Sequence, residues 1–143
     1  SLEEMNLQLN VNVRGVFVAT QAALKHLPNG GRIITIGSNA GLSVPFPGIA
    51  VYSATKSAME SFTRGLAREV GPRDITVNLV RPGPIDTDMN PADGPLAPSI
   101  LPNLGIARYG KTWEVAEAVA FLAGPGAAYV TGSGILVDGG ISA

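Results

Sequence analysis

The chain has 143 residues, 18 of them glycine and 11 proline, with no cysteine, one histidine and a formal net charge of −1. Its length suits one compact domain, and 45% hydrophobic against 15% charged residues excludes disorder. The balanced charge offers no footprint for nucleic acid, the absent thiols exclude disulfides and thiolate metal sites, and no apolar run nears the roughly 18 residues of a membrane span. No signal-peptide pattern opens the chain, so a cytoplasmic protein without metal, membrane or nucleic-acid partner is expected.

Residues 1–27 predict a helix. Glu3 and Glu4 sit where the N-terminal dipole favours acids. Leu2, Met5 and Leu9 recur at helical spacing, and Val16, Ala19 and Ala23 extend the apolar face. Asn10, Val11, Asn12 and Val13 interrupt it with poor helix formers. Lys25 and His26 close it, His26 as a C-terminal cap, and Pro28-Asn29-Gly30-Gly31 stops it.

Arg32-Ile33-Ile34-Thr35-Ile36-Gly37 is a β-branched run between glycines and predicts a buried parallel strand. Residues 38–48 turn polar and then Pro/Gly-rich, as a loop does. Helical spacing returns over 49–70, with Ala54, Ala58, Phe62 and Leu66 on one stripe, and Gly71-Pro72 ends it. Ile75-Thr76-Val77-Asn78-Leu79-Val80 predicts a second buried strand, with Asn78 a structural residue at its end, stopped by Pro82-Gly83-Pro84. Residues 86–107 carry many prolines and few periodic apolar positions, the mark of a functional or irregular segment. Thr112 is a plausible N-cap for a helix through Ala123, with Trp113 packed against the body. Gly132-Ser133-Gly134 leads into a third short strand, Ile135-Leu136-Val137. Strand–helix–strand–helix–strand predicts an α/β fold with a parallel sheet and right-handed crossovers. Three strands are few, and the first helix follows no strand, so the chain is expected to start inside a larger fold.

Tyr52 and Lys56 lie four apart on a predicted helix and so share a face. A cation beside a phenol favours phenolate and lowers its pKa from about 10 towards neutrality, as a tyrosine general acid/base requires. Ser38 falls just past the first strand, at the edge where open α/β sheets bind ligands. There it either bonds a carbonyl oxygen while Tyr52 gives its proton, or acts as a turn serine on its own backbone. Arg81-Pro82-Gly83-Pro84-Ile85-Asp86-Thr87 emerges at the same edge, where Gly83 permits close backbone approach or marks a plain turn. Pro45, Phe46, Pro47 and Met89 are candidates for an apolar pocket, or for packing and loop stiffening.

Five stretches in order, Asn12-Val13-Arg14-Gly15, residues 32–38, Tyr52-Ser53-Ala54-Thr55-Lys56, residues 82–87 and Val137-Asp138-Gly139-Gly140, carry a resemblance over essentially the whole chain. It resembles the C-terminal portion of a short-chain dehydrogenase/reductase, and among these the 3-oxoacyl-(acyl-carrier-protein) reductases. The resemblance implies a partial Rossmann-like, doubly wound parallel sheet: the last three strands with flanking helices. Residues 1–143 would form the catalytic part of one domain, with a substrate loop at about 88–107. It implies NAD or NADP as cofactor and a small carbonyl or alcohol as substrate. Tyr52 would be the general acid/base, Lys56 would lower its pKa and bond the nicotinamide ribose, and Ser38 would polarise the carbonyl. The backbone of Asn12, at a helix irregularity, would hold a water leading protons to Lys56. Pro82 and Gly83 would line the cofactor, and Ile85 and Thr87 would meet its carboxamide and phosphates. Helices 1–27 and 49–70 would join a homodimer or homotetramer.

The family's glycine-rich cofactor turn is not found in these residues. Gly132-Ser133-Gly134 has two glycines, but Val137 stands where a third would fall, and the segment precedes a strand instead of following one. The expectation is therefore a fragment carrying four catalytic positions without the main cradle, with strand 32–37 lacking a partner on one edge. Alone it would turn over no nicotinamide. The alternatives are an inactive oligomerising α/β module, or an epimerase or dehydratase sharing the Tyr/Lys pair.

Overall fold

The computed structural model describes residues 1–44 and 46–143. The first helical stretch runs as α1 (Leu2–Leu9), a π-helical segment (Asn10–Arg14) and α2 (Gly15–Leu24). Ser1 Oγ accepts the Glu4 N–H at 3.2 Å, and Glu3 and Glu4 occupy the first turn. The run of Asn and Val does not end the helix but widens it: the Gly15 N–H bonds to the carbonyl of Asn10, five residues back. The helix stops at Leu24, three residues short of the predicted end. The cap expected of His26 is supplied by Arg73, whose guanidinium donates to the carbonyls of Leu24 (3.2 Å) and Leu27.

Three strands, β1 (Arg32–Ile36), β2 (Thr76–Pro82) and β3 (Ser133–Val137), pair in parallel in the order β1-β2-β3. Ile33 lies opposite Val77, and Leu79 opposite Gly134. Side chains alternate between the faces of the sheet. Val77 and Ile33 pack with Leu66, Ala67 and Val70 of α3 (Ala50–Val70). On the opposite face Val80, Ile34 and Ile135 pack with Leu122 of α5 (Thr112–Ala123) and with Ala127. The sheet is thus covered on both sides, which is why its strands read as continuous apolar runs. Beyond β1 the described residues supply no partner, so its outer edge is open; its residues are only half-buried, and Ile36 is exposed.

Several local expectations change. Of the Ala54–Ala58–Phe62–Leu66 stripe only Leu66 is fully buried; the buried face of α3 also includes Ser53, Thr55, Met59, Glu60 and Thr63. Ala54 faces solvent, and Phe62 stacks on Phe17 of α2 with ring centroids 4.3 Å apart. Asn78 sits in the body of β2, fully buried; its amide donates to the Val130 carbonyl (2.7 Å) and accepts the Ser133 N–H (3.3 Å). It holds the connection into β3 where an apolar residue would leave those groups unpaired. Residues 86–107 contain two helical turns, α4 (Ala97–Ile100) and a 3-10 turn (Leu101–Asn103), which bury Ala97, Ile100 and Leu104 against Tyr109. Trp113 is 62% exposed and does not pack as expected.

Thr112 is the first residue of α5 and Lys111 its cap position. Glu114 does the capping. Its carboxylate accepts the Lys111 N–H at 2.7 Å and two guanidinium bonds from Arg108 at 2.8 Å, which hold its pKa at about 2 against an ordinary 4.5. A carboxyl held that low contributes stability that is complete above its unfolded pKa and is lost as pH falls through the folded one. The melting-temperature gap between this protein and a Glu114→Gln variant is expected to be widest above about pH 5 and to close between about pH 4.5 and 2. A gap that stays constant across that window would mean that the charge contributes nothing.

Candidate active site

Parallel strands deliver their following segments to one edge of the sheet, and α3 starts at that edge. Ser38 follows β1, Tyr52 lies in the first turn of α3, and Pro82 ends β2. Ser38, Tyr52, Pro82, Gly83, Ile85 and Thr87 line one cavity of about 280 Å³.

Ser38 is in extended backbone, and its Oγ accepts the Ala40 N–H at 3.1 Å, capping a 3-10 turn (Asn39–Gly41). The turn-serine reading therefore holds; the hydroxyl itself donates a long bond to Asn39 Oδ1 at 3.5 Å, weak enough to be exchanged for a better acceptor. The turn lies directly against α3: a Cβ on Gly41 would come within 3.0–3.2 Å of the Lys56–Ser57 backbone, and Ser57 Oγ donates to the Gly41 carbonyl at 2.7 Å. Glycine at 41 thus lets the loop carrying Ser38 touch the helix carrying Tyr52 and Lys56.

Lys56 Nζ is 5.6 Å from the centre of the Tyr52 ring. Burial pushes the Lys56 ammonium below its ordinary pKa, and it forms no ion pair among the described residues. Asn12, in the π-helical segment, reaches the same helix by another route. Its Nδ2 donates to Thr55 Oγ1 at 3.1 Å, and that hydroxyl donates to the Tyr52 carbonyl at 2.7 Å. Thr55 is fully buried and was missed in the sequence, although a polar residue three positions after Tyr52 was the available signal.

The 82–87 segment is anchored at both ends. The Gly83 N–H bonds to the Val137 carbonyl at 3.0 Å. Ile85, buried, bridges to Gly110; Asp86 accepts from Lys111 Nζ and the Ala92 N–H, both at 2.9 Å, which lowers its pKa. Thr87 is exposed, its hydroxyl accepting the Asn90 N–H at 3.3 Å. Phe46 and Ile100 border both this cavity and an adjacent one of about 490 Å³, lined also by Pro47, Leu96 and Ile141. Met89 lines the first cavity while remaining 95% exposed; Pro45 lies outside the described residues.

A nicotinamide riboside fits this donor set. A desolvated ammonium without a carboxylate suits the ribose diol, the exposed Thr87 hydroxyl suits a carboxamide or phosphate, and the Pro82–Ile85 turn offers an apolar wall.

Residues 1–142 match the family described as enoyl-(acyl carrier protein) reductase. The chain is 45% identical over 141 residues to the cyclic-di-GMP-binding biofilm dispersal mediator protein of Escherichia coli, covering 99% of this chain and 60% of that protein. It is 44% identical over 137 residues to the 3-oxoacyl-(acyl-carrier-protein) reductase FabG of Pseudomonas aeruginosa, covering 93% and 55%. A crystal structure of a short-chain dehydrogenase from Burkholderia cenocepacia in complex with NADP superposes with a TM-score of 0.98 at 49% identity, covering all of this chain and 58% of that one. The chain thus spans less than two thirds of the length of these proteins.

Gly83 makes the tightest backbone approach at this edge. A methyl there would sit 2.5 Å from Cβ and 2.7 Å from Cα of Asp138. Overpacking of this kind costs about 1–3 kcal/mol. Gly83→Ala is expected to lower the unfolding free energy by about that amount in denaturant titrations; an unchanged midpoint would show that the turn slides freely off β3.

Proposed function

The chain belongs to the short-chain dehydrogenase/reductase family, and we propose that it carries the acid/base part of a site that interconverts a ketone and a secondary alcohol with NAD or NADP. The observation that carries this reading is the meeting of Ser38 and Tyr52 in one cavity, with Lys56 beside the Tyr52 ring.

The nicotinamide, when bound, supplies or accepts the hydride. Every proton belongs to this chain. In the reductive direction Ser38 donates a hydrogen bond to the carbonyl oxygen while its own oxygen stays bonded to the Ala40 N–H, which fixes its direction. Tyr52 gives its phenolic proton to the same oxygen. The adjacent Lys56 ammonium stabilises the phenolate that results and bonds the ribose hydroxyls. Asn12 supports the pair from behind through Thr55, and the widened helix turn around it frees backbone acceptors for a water that returns a proton to Lys56. Pro82, Gly83, Ile85 and Thr87 wall the nicotinamide end. The apolar border formed by Phe46 and Ile100 favours a neutral carbonyl compound with an apolar substituent, admitted beneath the 88–107 segment. Exposed Leu7, Val11 and Val18 on α1, the π segment and α2, with Val51 on α3, favour association of subunits into a homodimer or homotetramer through these helices.

Because the chain spans only part of its relatives' length, the test belongs in the full-length protein. Tyr52→Phe removes one oxygen and the transferable proton. It is expected to lower kcat by about 10²–10⁴-fold with NAD(P)H and a ketone. Turnover equal to the unaltered protein would end the assignment.

A further inference from the structure

Glu60 and Arg81 form an ion pair inside the fold that the chemistry above does not use. Arg81 Nε donates to Glu60 Oε1 at 2.6 Å and Nη2 to Oε2 at 2.5 Å, while Nη1 donates to the Gly134 carbonyl at 2.8 Å. Both side chains are largely buried, at 14% and 9% exposure. One guanidinium therefore joins α3, β2 and β3. The fork is seated on bare backbone: a Cβ on Gly134 would lie 2.2–2.5 Å from the guanidinium atoms.

Its location sets it apart from an ordinary structural pair. Glu60 lies one helical turn beyond Lys56 and two beyond Tyr52, on the same face. Arg81 immediately precedes the Pro82-Gly83 turn. The apolar cluster that fastens α3 to the sheet uses Phe62, Leu66, Ala67 and Val70, all on the far side of Glu60. Nearer the site, α3 is tied by Asn12–Thr55 and Gly41–Ser57, which reach the first helix and a loop and not a strand. Buried ion pairs are weak stabilisers compared with apolar packing, but a bidentate fork tolerates little movement.

We propose that Glu60 and Arg81, seated on Gly134, are positioning residues. Their fork clamps the middle of α3 to the end of β2 and the start of β3 and so fixes Tyr52 and Lys56, two turns and one turn before Glu60, relative to the 82–87 turn. This rests on the oxidoreductase reading for its effect on turnover, but not for its effect on motion.

Two variants of the full-length protein test it. Glu60→Gln/Arg81→Met removes both charges at nearly constant volume, so no lone charge is buried. Gly134→Ala keeps both charges and displaces only the flexible end of Arg81. In each, kcat with NADPH and a ketone is expected to fall about tenfold or more while KM for the ketone stays within about threefold, the pattern of lost transition-state alignment. Hydrogen exchange is expected to quicken over 50–60 and 82–87 and to stay unchanged over 66–70. Exchange over 50–60 that stays as in the unaltered protein in both variants overturns the clamp, whatever kcat does. Uniformly faster exchange along the chain overturns it too, since it marks a purely structural pair. An unaltered protein that reduces no ketone sinks the oxidoreductase reading instead, and exchange alone then decides the clamp.

Discussion

Parallel pairing is the constraint on which the rest depends. Because β1, β2 and β3 all run the same way, the segments that follow β1 and β2, one carrying Ser38 and the other Pro82 to Thr87, must leave at the same edge. A helix that returns the chain to the start of the next strand must begin at that edge too, which brings Tyr52 and Lys56 there. Residues far apart in sequence thus converge without any direct bond between Ser38 and Tyr52. What remains for side chains is fine adjustment, and the structure shows it in polar contacts: Asn12 to Thr55, Ser57 to Gly41, Arg81 to Glu60.

This division explains what the sequence discloses and what it conceals. The strands are readable because both faces of the sheet are covered, so short runs rich in β-branched and apolar residues, such as Ile33 to Ile36 and Ile75 to Val80, carry a strong signal. The convergence of Ser38 and Tyr52 on one cavity was readable from topology, and the irregularity at Asn10 to Arg14 from its poor helix propensity. The buried face of α3 was not. Apolar periodicity selects Ala54, Ala58, Phe62 and Leu66, of which Leu66 is buried, but the face turned inwards nearer the site is mostly polar, with Ser53, Thr55, Glu60 and Thr63 around Met59. Periodicity weighs hydrophobicity, and a helix that pairs Thr55 with Asn12 and Glu60 with Arg81 hides its orientation from that measure.

The smaller mismatches have the same origin in distant partners. His26 sits where a cap belongs, but Arg73, from beyond α3, reaches the carbonyls first. Asn78 reads as a strand-end residue because amides are rare inside buried strands; here the incoming connection to β3 supplies both its bonds. Trp113 reads as core by its size, yet the start of α5 is held by the Glu114–Arg108 bonds and leaves the indole outside. Each partner lies tens of residues away or depends on a local capping choice that composition does not reveal.

Glycine content connects these levels. The excess over an average chain is not spent on flexible loops alone. At 41, 83 and 134 it marks places where another group touches the backbone: the Lys56–Ser57 peptide, Asp138 and the Arg81 guanidinium. Each contact joins an element bearing a proposed site residue to a neighbour, at 41 and 83 beside the strand ends and at 134 along the body of β2. A side chain at 41 would push the Ser38 loop from α3, one at 83 would lift the 82–87 turn from Asp138, and one at 134 would unseat the fork behind Lys56. Close approach of backbone, made possible by missing side chains, is therefore what lets so few strands hold these residues within one cavity.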